Sequence, residues 1–142
     1  MMNNKKLLLI IGAILNLIAI VTLIVVSIVF FYYYSNKEAL MEAIDDGKIN
    51  YKENMDLYDE YEKVRDIFRI STGICIIYIF IYTVSTVFSL IGMQKNLLSI
   101  AVINIVLGFL CNLFILAGGI ISILCINKEK KENENKYNNE LP

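Results

Sequence analysis

Histidine and tryptophan are both absent from this chain of 142 residues, so the commonest general base, the commonest transition-metal ligand and a favoured interface anchor are missing from the outset. The side chains left with chemical potential fall into three sets. Cys75, Cys111 and Cys125 all lie in apolar stretches, where a small residue that lets helices approach is expected in preference to a redox or metal role. With no cysteine in a polar segment, no extracellular disulfide framework is available. Asn16, Asn104, Asn112, Tyr78 and Tyr82 are the larger polar residues in those stretches. They suit hydrogen bonds between helices, with a lined pathway or ligand pocket as the lesser alternative. The carboxylates Asp45, Asp46, Asp56, Asp59, Glu60 and Glu62 share one segment. The D-x-D-x-D-G order of a calcium loop is absent, so a solvated or partner-facing surface is expected rather than a metal site. Tyr51, Tyr58 and Tyr61 in the same segment form either its apolar side or an exposed binding face. Nothing pairs a nucleophile with a base, so the expectation is no enzyme, no cofactor and no small-molecule substrate.

The elements that must position these residues follow from composition. Hydrophobic side chains make up 57% and charged ones 19% of the chain, with a net charge of -1 and a positive mean hydropathy. A water-soluble domain of this size carries about a quarter charged residues. The apolar content is also gathered into three long blocks, which excludes a nucleic-acid binder or a disordered chain and predicts an all-α integral membrane protein in contact with the lipid bilayer.

Residues 7–34 carry no charge over 28 positions, about 42 Å of helix against a hydrocarbon core of roughly 30 Å, and are expected to form the first transmembrane helix. A signal peptide is the competing reading, but the apolar run far exceeds such a segment and no small-x-small cleavage site follows. Phe30 to Tyr34 fit an interfacial aromatic belt. Residues 35–69 hold ten acidic and six basic side chains and are expected to form a polar helical hairpin outside the membrane. Leu40 and Ile44 lie four apart, a turn is expected near Asp46, Gly47 and Lys48, and Asn50 followed by Glu53 resembles a second helix start. Asp59 and Lys63 are spaced for an i,i+4 pair.

Residues 70–93 and 97–126 form the second and third blocks, separated only by Gln94, Lys95 and Asn96, so antiparallel neighbours are expected. In the second block, alternating steps of four and three collect Ser71, Cys75, Tyr78, Tyr82, Ser85, Ser89 and Gly92. In the third they collect Ala101, Asn104, Gly108, Cys111, Ile115, Gly118, Ser122 and Cys125. All of these but Ile115 are small or polar, so each helix has one face meant for protein rather than lipid, with left-handed packing near +20°. In the first helix only Gly12, Asn16 and Ala19 continue such a face, so looser packing, or packing along only part of its length, is expected there. The third block is expected to be a single helix, perpetuating one phase from Ala101 to Cys125; two short helices meeting near Gly108 to Asn112 are the alternative. Residues 127–142 are rich in Lys, Glu and Asn and are expected to be a disordered charged tail. Three spans put ten basic residues on the side of hairpin and tail, which favours a cytoplasmic tail; the two lysines ahead of the first helix argue the reverse, and a hairpin in the third block would place both ends in the cytoplasm.

The two ends also resemble a known group. KKLLLIIGAILNLIAIVTLIVVSIVF at residues 5–30 and LAGGIISILCINKEKK at residues 116–131 resemble a bacterial family of small multi-pass membrane proteins of unknown function. Its members begin with lysines and an I-G-rich helix and end in an A-G-rich helix capped by basic residues. The resemblance implies a bacterial cell membrane and four passes, and brings no activity or site residues with it. A shorter final block and a more acidic insert set this sequence apart. The expected function is association without catalysis, as an accessory subunit of a membrane complex or a homo-oligomer. A pore-forming or transporter component, such as a holin, is the alternative.

Overall fold

A computed structural model describes residues 2–49 and 57–141. The described residues form five helices and no strand: α1 (Met2–Ser35), α2 (Lys37–Asp45), α3 (Leu57–Gln94), α4 (Leu98–Cys111) and α5 (Leu113–Glu140). By length and composition α1 and α3 could each cross a membrane. Only 22% of the most apolar stretch of either helix is buried within the protein, unlike the core helix of a soluble fold. Ile10, Ile14, Leu17, Val21 and Ile28 of α1 and Ile70, Ile77 and Phe80 of α3 all face outward. The chain divides into two compact units, one of Met1–Ile20 with Ile81–Pro142 and one of Val21–Phe80.

The second unit is built on a capped turn. Asn36 leaves helical geometry, and its side-chain oxygen accepts the Ala39 N–H at 3.1 Å, which ends α1 and starts α2. Asn is among the strongest N-caps because its short side chain satisfies an otherwise orphaned donor. At the other end Gly47 adopts φ +70°. The N–H groups of Gly47 and Lys48 then donate to the carbonyls of Ile44 and Ala43 at 3.1 and 3.0 Å, a Schellman closure that favours glycine. Leu40 and Ile44 bury against Tyr61 and Val64, with Tyr33, Met41, Ile49 and Phe68 packed around them. Tyr61 thus belongs to the apolar side of this unit. Tyr51, Asp56, the side chain of Tyr58 and the helix start expected at Asn50 and Glu53 lie outside the described residues.

The first unit departs from the favoured expectation in two places, in the first of which it takes the alternative of two short helices. Residues 97–126 are not one helix, because Asn112 is extended (φ -161°, ψ 151°) and separates α4 from α5. The stripe stays in phase across this break because the two helices fold against one another and bury their small faces in the same unit. Residues 127–140 are helical rather than disordered. They prolong a helix already nucleated by packing, in a sequence dense with good helix formers and with Lys128 and Glu132 paired at 3.7 Å. As expected, α1 packs along only part of its length, with Lys5, Leu9, Gly12, Ala13 and Asn16 buried and, among its described residues, none buried after Asn16.

Candidate functional site

The most polar interior of the protein is in the first unit, where α1, α3 and the α4–α5 break supply buried amides and hydroxyls. Asn16, Ser85, Ser89 and Asn104 are fully buried. Asn16 donates from Nδ2 to the Ser85 hydroxyl at 3.0 Å and accepts at Oδ1 from Nδ2 of Asn112 at 2.6 Å. Asn112 also donates to the Gly12 carbonyl at 3.2 Å, while its own Oδ1 accepts the Ile115 N–H at 3.1 Å. One side chain therefore caps α5 and ties it to α1. Nearby, Ser89 donates to the Leu9 carbonyl at 2.8 Å and Asn104 donates to the Phe88 carbonyl at 3.2 Å. Among the described residues Asn104 Oδ1 is buried without a hydrogen-bond partner.

Close backbone approach accompanies these bonds. A Cβ on Gly108 would fall within 3 Å of the Leu116 backbone, and one on Gly119 would meet the backbone N of Ile105. Gly118, one residue earlier on α5, faces Leu9 of α1, and Gly12 of α1 faces Ile115. Gly92 meets the Asn104 amide in the same way. Adjacent glycines thus serve two different neighbours, which explains why both positions of the Gly118–Gly119 pair are small.

The expected helix-packing residues divide between the two units. Ser85, Ser89, Gly92, Ala101, Asn104, Gly108, Gly118, Ser122 and Cys125 are buried in the first unit, with Tyr82 and Cys111 half-buried. Ser122 donates to the Gly118 carbonyl of its own helix at 2.7 Å, so it bonds no neighbouring helix through this contact. In the second unit Cys75 is buried, Ser71 is half-buried and Tyr78 is 45% exposed. Gly73, on the opposite face of α3 from these three, has open space where a Cβ would go.

Sequence reasoning recognised Asn112 as polar but missed its capping role. The available signal was an Asn directly before an apolar run, an N-cap signature that the unbroken stripe concealed. It also missed a cluster at one end of the first unit, where the buried Lys5 ammonium donates to Asn96 Oδ1 and Asn96 Nδ2 donates to Glu129 at 2.7 Å. Residues 91 and 33 positions apart meet there, and no local pattern encodes such a meeting.

Chemically, the buried groups are amides and hydroxyls. The Ser85 hydroxyl accepts from an amide, an arrangement that leaves its nucleophilicity unraised. Among the described residues no three side chains of His, Cys, Asp or Glu are grouped to hold a metal. Most of the carboxylates singled out above, Asp45, Asp46, Asp59 and Glu62, are exposed, while Glu60 is buried. The chain matches no protein-family model, no curated protein and no solved structure.

Proposed function

We propose that this chain is a multi-pass protein of a bacterial cell membrane that acts by association without catalysis, as a subunit of a larger membrane complex or as a homo-oligomer. In this reading α1 and α3 span the bilayer, and α4 and α5 form a re-entrant hairpin rather than a third span. Each arm supplies about fourteen apolar residues, roughly 21 Å, which is short of the hydrocarbon thickness. Non-helical backbone at membrane depth is tolerated only where protein covers it, and the bonds of Asn112 to Gly12 and Asn16 supply that cover. The cluster of Lys5, Asn96 and Glu129 supports a hairpin that returns to the side it entered from.

The observation that carries the association reading is the division of the α3 stripe. From Ser85 onward the stripe is consumed within the protein's own first unit, whereas in the second unit only Cys75 is buried and Ser71 and Tyr78 remain half-buried and exposed within the apolar part of α3. Small and polar residues on an outward helix face are what membrane-embedded association uses, because lipid offers little hydrophobic drive. The test is native mass spectrometry of the tagged protein extracted in mild detergent, with wild type compared against Ser71→Leu. A stoichiometric partner or homo-oligomer that is lost in the variant is expected. A monomer with nothing co-purifying would remove the proposal.

One observation favours the alternative of a pore or transporter component. A helix pair broken at Asn112 resembles the interrupted helices that line membrane pathways. Leakage from vesicles containing the purified protein would select this reading, and tight vesicles at high protein density would reject it.

A further inference from the structure

Lys5 has an unusual setting for an ammonium group. It is 1% exposed, yet among the described residues no carboxylate lies within 4 Å of its nitrogen. Among the described residues its one hydrogen bond goes to a neutral amide, Asn96, which in turn donates to Glu129, so the nearest carboxylate acts on Lys5 through space and one amide away rather than as an ion pair. An ammonium has three donors and costs several kcal/mol to bury without compensation. Beside it opens a groove of about 240 Å³ lined by Met2, Lys5, Lys6, Met93, Gln94 and Asn96. That lining contains two cations and no anion. The groove lies at the first turn of α1, where backbone N–H groups add positive potential and the turn itself holds no acidic residue, so Glu129 balances only part of the charge of Lys5 and Lys6. Just beyond, Leu7 and Ile10 of α1 and Leu90 of α3 expose apolar surface.

We propose that this groove binds the phosphate of an anionic phospholipid headgroup, with Lys5 and Lys6 donating to its oxygens and the acyl chains lying on the exposed faces of α1 and α3. A phosphodiester answers each feature in turn: it accepts several hydrogen bonds, carries a negative charge that the groove's own lining lacks, and in a lipid is attached to chains that the apolar surface accommodates. The assignment rests on the membrane reading above, which fractionation tests separately. Recovery of the protein in the soluble fraction without detergent would remove both readings.

The binding test titrates phosphatidylglycerol or phosphatidylcholine into the detergent-solubilised full chain and reads lipid retention by native mass spectrometry. Lys6→Gln, at an exposed position that no fold contact requires, is expected to weaken retention of phosphatidylglycerol about fivefold, and Lys5→Met combined with it about twentyfold. Lys95→Gln and Lys136→Gln, which remove exposed charge outside the groove, are expected to leave retention unchanged. Equal retention of the two lipids, or equal losses in all four variants, overturns the site while leaving membrane residence intact. Displacement of the lipid by inorganic phosphate at the same concentration would mark a free-anion site and overturn the lipid assignment.

Discussion

Asn112 shows how much one residue can decide. Its amide closes the N-terminus of α5 and bonds both Gly12 and Asn16. Asn112→Leu would leave the Ile115 N–H and Asn16 Oδ1 unpaired, with an expected loss of about 2–4 kcal/mol from the cap and two buried polar groups together. Thermal unfolding in detergent should record the drop. Gly108 and Gly73 make a second comparison. A methyl group on Gly108 collides with helix backbone that cannot yield like a side chain, whereas Gly73 is open. Gly108→Ala is expected to separate α4 from α5 and to speed proteolysis near the break. Gly73→Ala should instead stabilise α3 by roughly 0.5–1 kcal/mol, since Gly costs about that much relative to Ala inside a helix.

At the scale of elements, α2 is a nine-residue helix whose existence depends on its ends and on two apolar residues. Isolated helices of that length are marginal in water. Asn36→Ala removes the N-cap and is expected to cost about 1 kcal/mol. Gly47→Ala forces a Cβ into a left-handed conformation at a similar cost. Amide exchange should accelerate in residues 37–45 in both variants while the buried part of α1 keeps its protection. The aromatic contacts nearby, Phe30 with Phe68 at 5.4 Å and Tyr33 stacked on Phe68 at 5.5 Å, hold α1 and α3 together without α2. They should persist when α2 frays. The Arg65 guanidinium over the Tyr34 ring at 5.2 Å adds a contact that survives at the surface.

At the scale of the whole molecule, the proposed re-entrant hairpin would change the charge arithmetic. With three spans, Lys5, Lys6 and Lys95 oppose the tail. With two spans and a hairpin, these three lysines join Lys128, Lys130, Lys131 and Lys136 on one side, opposite a segment of ten acidic and six basic residues. Short loops rich in lysine tend to stay cytoplasmic, so the proposed topology places both described ends in the cytoplasm. Single cysteines at Asn3 and Asn138, in a chain lacking Cys75, Cys111 and Cys125, are expected to react with an impermeant thiol reagent only in inverted vesicles. A cysteine at Lys48 should react only in right-side-out ones. Labelling of positions 3 and 138 from opposite sides would restore three spans.

Much of the architecture was legible in the residues themselves. Uncharged runs long enough to cross a bilayer, a glycine where a helix must close, and apolar spacing of three and four are local signals, and they foreshadowed α1, α2 and α3 with their inward positions Leu40, Ile44, Ser85, Ser89 and Gly92. The chemistry expected of the buried amides, hydrogen bonding between helices, was legible for the same reason: a polar group in an apolar run must find a partner. Only tertiary structure decided what those partners were. The break at Asn112 preserves the periodicity of a single helix, so spacing alone could not reveal it; the competing bonds to Gly12 and Asn16 did. The helical state of residues 127–140 depends on a helix nucleated elsewhere. The meeting of Lys5, Asn96 and Glu129 joins parts of the chain too distant for any local preference, and folding alone sets that distance.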